Sequence, residues 1–232
     1  MDNNFKIIYQ KGKKIVYKID SCDRITEGFV GQLKWPPGIT GMIFVFEQAI
    51  VNETQILAKL PLSIDAGVVY ASSRETLPAA EVVGNTQIVA AQVKDAEMLA
   101  GLYLACREKV YAPVAGVRQI PAVDMAAVMV KMRDQLTNAK IGYWENSGTP
   151  VGAIAVTKWH DYADSPVEWI PWIWIAPDIS QEERKVLHVL ISGWLKANIS
   201  GRVQCVVDSY NVRSQKFFKK LGFTPECVHI IK

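Results

Sequence analysis

Clustered metal or redox ligands are what this sequence most plainly lacks. Its four cysteines, Cys22, Cys106, Cys205 and Cys227, form no CxxC pair, and its three histidines, His160, His188 and His229, stand at no ligand spacing from them. No metal is therefore expected, and the thiols read as buried and free in a reducing cytoplasm. An excess of one charge is missing as well. The 26 Lys and Arg against 23 Asp and Glu leave +3, too mild to announce a nucleic-acid or membrane-surface binder, so any basic patch must be local. No uncharged stretch reaches the ~18 apolar residues of a spanning helix. The opening MDNNFKII has an early acid and no apolar run, so it does not read as a signal peptide.

What is present is half hydrophobic over 232 residues, enough for one or two domains with a substantial core. The first 75 residues read as a small α/β unit. Strand-like runs at 5–10 and 14–19 flank the turn KGK, a helix at 23–35 stops at Pro36, Pro37 and Gly38, and a β-rich run follows at 42–51. A helix at 52–60 ends at Pro61, and GVVYAS at 67–72 is a short strand. This order is similar to a STAS-like module, and no residue in it carries a chemical signature. Residues 73–85 (76–85 at the core) read as a linker.

From Thr86 the pattern sharpens into a second domain, 86–232. TQIVAAQV (86–93) is a strand. Leu99, Leu102, Tyr103, Cys106 and Val110 mark the buried face of a helix starting after Asp95; Met125, Val128, Met129, Met132 and Leu136 mark another, with Pro121 near its start. Strands at 140–145 and 151–159 form a hairpin, and VEWIPWIWIA (167–176) completes an antiparallel meander. That last strand is apolar on both faces, hence central, and its Pro171 requires a bulge or a displaced neighbour. A helix over 181–199 opens on a Ser180/Glu183 capping box. RVQCVVD (202–208) must then run parallel to 167–176 if the two are neighbours. NVRSQKFFKKLGF (211–223) is a short helix closed by Gly222, and ECVHIIK a final strand.

This element order, with Asn211, Ser214, Gly222 and Phe223 at offsets of zero, three, eleven and twelve, resembles the GNAT family of acyl-CoA-dependent N-acetyltransferases over about 147 residues. The resemblance implies an α/β (α+β) fold with a mixed sheet whose central parallel strands splay apart. It implies acetyl-CoA as cosubstrate, an amine of unknown identity as acceptor, and cytoplasmic location, with no nucleic acid or membrane partner and a homodimer left open. Backbone groups of Trp174, Ile175 and Ala176 would receive the pantetheine arm. The start of the next helix, Gln181 with Arg184, Lys185 and Val186, would face the pyrophosphate, and Asn211, Arg213, Ser214 and Lys216 would meet the cofactor from the other side. Arg213 and Lys216 serve equally well as a solvated helix face. Glu168 is the candidate base, acting through water, and a solvent-facing strand-end acid is the alternative. His160 and Asp161 either line the acceptor side or are polar surface.

Two departures bear on activity. The turn before the third helix, PDISQEERKVL (177–187), has no glycine to let backbone N–H groups approach phosphate oxygens, and Glu182 and Glu183 add negative charge there. The residue seven after Asn211 is Phe218, where the family commonly has a tyrosine that returns a proton to the thiolate. Tyr210 is the nearest replacement. The competing reading is a degenerate module that binds CoA weakly or not at all and acts in sensing or protein interaction.

Overall fold

The computed structural model describes residues 6–19, 27–31, 34–46, 65–78, 88–117, 120, 122–146, 148–176 and 179–231. The helix expected at 52–60, most of the linker and Cys22 lie outside them. The N-terminal hairpin is β1 (Lys6–Lys11) and β2 (Lys14–Ile19); α1 (Glu27–Gly31), β3 (Gly41–Phe46) and β4 (Asp65–Ser73) follow. Then come β5 (Val89–Ala90), α2 (Ala96–Tyr111), α3 (Met125–Asn138), β6 (Ala139–Asn146) and β7 (Thr149–His160). The chain finishes with β8 (Pro166–Trp169), β9 (Ile173–Ile175), α4 (Gln181–Asn198), β10 (Arg202–Asp208), α5 (Val212–Lys220) and β11 (Thr224–Ile231).

These strands form one mixed sheet in the order β1-β2-β3-β11-β4-β10-β8-β7-β6-β5, with β9 on β7. β2 with β3 and β8 with β10 are parallel. The place of β4 could not be read from local pattern. It comes from the N-terminal stretch that the sequence sets apart, yet it is hydrogen-bonded antiparallel to β10 along 67–73 and to β11 along 65–71. A strand paired on both edges and covered on both faces must be apolar throughout, and β4 is buried from Ala66 to Ser72.

Alternation along β7 divides the core. Ile154 and Val156 pack with Leu187, Ile191 and Leu195 of α4 and Phe218 and Leu221 of α5. Ala153 and Ala155 face the other way, against Leu99 of α2 and Val128 and Met132 of α3. The sheet is thus sandwiched between helix pairs, and each fully buried aliphatic side chain contributes roughly 1.5–3 kcal/mol. Met125, expected on the buried face of α3, is instead 43 % exposed at the first position of the helix.

The strand expected over 167–176 is broken at Pro171, and the break has the form of a bulge. Trp169 pairs with Thr157 and Ile173 with Ile154, so four steps on this strand match three on β7. The extra residue changes the neighbour. β8 pairs with β10 at Glu168 and Trp169, and Ile170 N–H donates to Gln204 O at 2.9 Å. From Ile173 onward the strand pairs with β7 alone. The two central parallel strands are therefore joined at their beginnings and apart towards Ala176 and Asp208, as the proline requires.

Candidate active site

The gap between β9 and β10 opens into a cavity of about 510 Å³. Its walls come from α2 (Cys106, Lys109, Val110), from β9, from the first turns of α4 (Arg184, His188) and from the loop into α5 (Tyr210 to Ser214). Of the expected cofactor residues, Trp174, Ile175, Arg184, Asn211, Arg213, Ser214 and Lys216 lie on it. Ala176, Gln181, Lys185 and Val186 do not. Gln181 and Lys185 are exposed, and Lys185 pairs with Glu182 at 2.7 Å.

Hydrogen bonding decides which backbone groups face the gap. Ala176 N–H is committed to Val151 O (2.9 Å), and Trp172 O accepts from Ala155 N–H (3.3 Å). Antiparallel alternation then turns Trp174 towards β7 too, leaving Ile173 and Ile175 as the residues whose peptide groups look into the splay. This corrects the assignment of Trp174 and Ala176 as backbone partners for an incoming arm. The Cys106 thiol, 3.7 Å from Ile173 O, is a weak donor on the same edge. Burial raises that thiol to about 11 against a smaller opposing effect of Lys109, so it is protonated at neutral pH. The side chain of Trp174 is itself a wall of the cavity, and its buried Nε1 has no partner among the described residues.

The charges on the walls are of one sign. Among the described residues, Lys109, Arg184, Arg213, Lys216 and Lys220 line the cavity, and no Asp or Glu does. Glu183, which the sequence places as an unwelcome negative charge, is turned into the helix cap: Ser180 N–H donates to it at 2.6 Å, Ser180 Oγ accepts from Glu183 N–H at 3.2 Å, and Asn146 donates at 2.6 Å. Residues 177 and 178 of the glycine-free turn lie outside the described residues. The His188 ring lies against Phe217, centroids 4.5 Å apart and tilted by 39°, and burial, then Lys220, lowers its pKa. A neutral imidazole follows.

Asn211 and Ser214 stand three apart for a local reason. Asn211 is the N-cap of α5, and its Oδ1 accepts from Ser214 N–H at 3.1 Å. Phe218 is buried in the core among Phe217 and Phe223, away from the cavity; Phe217, packed against the same core, also lines the cavity. Tyr210 also lines it, half-buried, and donates to Asp208 Oδ2 at 3.2 Å.

Glu168 is not at the cavity. It sits where β8 is still paired with β10 and accepts from both Ser200 N–H (2.9 Å) and Ser200 Oγ (2.7 Å). Its burial opposes ionisation, but those bonds and Lys140 outweigh it and hold the carboxyl below its ordinary range. An acid so engaged at the closed end of the splay is a poor base for chemistry at the open end. His160 and Asp161 line a different cavity of about 280 Å³, over β2, β3, β4 and β11. There Asp161 is fully used by Ala163 N–H, Ser165 N–H and Arg202.

Cys106 and Val110 fall on a helix face read as core, and nothing in that periodicity tells a packed face from a cavity wall; Lys109 and His188 carried no signal in the sequence that set them apart.

No family model matches the chain, and no curated protein does. Solved structures are similar. A functionally unknown conserved protein from Staphylococcus epidermidis is 13 % identical with a TM-score of 0.51, covering 99 % of this chain and 94 % of its own. A GCN5-related N-acetyltransferase from Kribbella flavida is 11 % identical at 0.47, covering 94 % and 79 %. An aminoglycoside N-acetyltransferase, AAC(6')-Iy, in complex with CoA is 19 % identical at 0.44, covering 62 % and 93 %. At such identities the likeness is one of architecture, an α/β fold built on one mixed sheet.

Proposed function

We propose that this chain is an acyl-CoA-dependent N-acetyltransferase, passing acetyl from acetyl-CoA to an amine. The observation that carries the reading is the splay itself, a gap between parallel strands that opens on a cavity walled by five cations. The peptide groups of Ile173 and Ile175 can pair with the amides of an extended pantetheine arm as with another strand. Arg184, Arg213, Lys216 and Lys220 offer the phosphates side-chain charge where the turn lacks glycine for backbone approach. Transfer would then be direct, from thioester to an amine held across the splay, with Tyr210 at hand. The free thiols suit the cytoplasm.

A second reading, a module that binds CoA without transferring acetyl, is favoured by one observation: Glu168 stands at the closed end of the splay, engaged by Ser200. Incubation with acetyl-CoA and a panel of primary amines, following thiol release and acetylated product by mass, separates the two. Turnover with any amine supports the transferase. CoA binding without thiol release supports the module.

A further inference from the structure

The loop from β10 into α5 holds a pair of groups whose protons can be placed by chemistry alone. The Tyr210 hydroxyl lies 3.2 Å from Asp208 Oδ2. An ionised carboxylate can only accept, so the phenol is the donor and its single proton points at Asp208. Tyr210 lines the cavity, and an oxygen whose proton is given to Asp208 keeps lone pairs with which it can accept from a donor there.

The pair is held rigidly from both flanks. Asp208 ends β10, and its carbonyl accepts from Asn211 N–H (3.0 Å) and Gln215 Nε2 (3.1 Å). Gln215, 2 % exposed, donates also to Ser209 O at 3.0 Å, and Ser209 N–H donates to Ala66 O of β4 at 2.8 Å. Among the described residues, Tyr111 of α2 is one group that senses this pair, and Arg107 of α2 and Asp65 of β4 act on Tyr111 in turn. Burial raises the Tyr111 phenol, and the negative charge of Asp208 raises it further, with Arg107 opposing and Asp65 adding. The Asp208 carboxylate is therefore felt on the α2 side of the cleft.

We propose that Tyr210 and Asp208 form a proton relay on the base side of the transfer: Tyr210 Oη accepts from the acceptor ammonium, and Asp208, a positioning residue acting through the phenol, receives the relayed proton. This rests on the transferase reading. One ammonium proton passes to Tyr210 Oη while the Oη proton passes to Asp208 Oδ2, leaving a neutral amine, a neutral phenol and a carboxylic acid. The amine lone pair forms the C–N bond to the thioester carbon. The C–S bond breaks with its electrons on sulfur, the excess proton on nitrogen goes to the thiolate, and Asp208 later returns its proton to solvent. Tyr210 is thereby the acceptor of the amine's proton, not the tyrosine that protonates the thiolate.

The test is Asp208→Asn, whose amide oxygen still accepts the phenol's hydrogen bond but cannot take up its proton. With acetyl-CoA and the amine that the parent turns over best, kcat should fall by about 10²-fold or more. Acetyl-CoA affinity by calorimetry should be unchanged, and the acid limb of kcat/KM against pH should disappear. Added formate should restore part of the rate to Asp208→Ala. Parental kcat with a parental acid limb would overturn the relay while leaving the transferase intact. No thiol release by the parent with any amine would overturn the transferase reading and the relay with it. Should Asp208→Asn fail to fold, Tyr210→Phe removes the relay oxygen with the ring in place and must show the same loss.

Discussion

The N–H of Ser209 donates to the carbonyl of Ala66 at 2.8 Å, tying the loop that enters α5 to a strand from the first third of the chain. Both residues are buried. The loop carries Asp208, Tyr210 and Asn211, so the geometry of the cavity wall depends on β4 being seated between β10 and β11. The N-terminal residues are in this sense part of the site, although none of the described ones lines it.

Gly67 is the tightest point of that seat. A Cβ there would lie 2.6 Å from Val206 Cγ1 and 3.2 Å from the carbonyl of Val207, and a β-branched neighbour has little rotamer freedom with which to retreat. Gly67→Ala should cost about 1–3 kcal/mol, the usual penalty of overpacking. Urea denaturation followed by circular dichroism measures it, and an unchanged midpoint would show that β4 is not packed as described.

Phe218→Tyr tests the position where the resemblance puts a proton-returning tyrosine. If that position faced the cofactor sulfur, a phenol there would be expected to raise turnover or leave it unchanged. It is 3 % exposed, with ring centroids 5.4 Å from Phe217 and 5.2 Å from Phe223. A hydroxyl buried in that cluster without a partner should cost about 1–3 kcal/mol and add nothing to the rate. A rise in kcat at parental stability would contradict this placement.

His229 gives the fold a pH dependence of known sign. Burial, with Lys14 adding, lowers its pKa to about 4 from an ordinary 6.5. The unfolded chain thus takes up a proton below pH 6.5 that the folded one refuses. The contribution is complete above that value and is lost as pH falls towards 4, about 3 kcal/mol in all at 1.36 kcal/mol per pH unit. Melting temperature measured between pH 7 and 4 should fall more steeply for the parent than for His229→Phe. Equal slopes would remove His229 from the account.

Much of this was legible because it is local. The strand 202–208 has the bounds its β-branched run predicts, α4 begins at the capping box of Ser180 and Glu183, and Pro171 marks the bulge that opens the splay. Other features depend on partners distant in sequence. The apolar run of β4 announces burial on two faces, but period-two patterning does not name the strands beside it. Glu168 is recognisable as a strand-start acid, yet its partner Ser200 reaches it only when α4 has carried the chain back. Asn211 and Ser214 fit both a cofactor motif and an N-cap, and the hydrogen bond between them belongs to the cap.

The central claim is that the splayed strands and their cation-walled cavity bind acetyl-CoA, and calorimetric titration of the folded protein with acetyl-CoA tests it most directly. A ligand that binds only the folded state must also raise its melting temperature by mass action. The account predicts saturable binding at micromolar acetyl-CoA with a matching rise in melting temperature, weakened at least about tenfold by Lys216→Glu, since opposite charge on a phosphate-facing cation replaces attraction with repulsion. No heat and no shift at millimolar acetyl-CoA would contradict it.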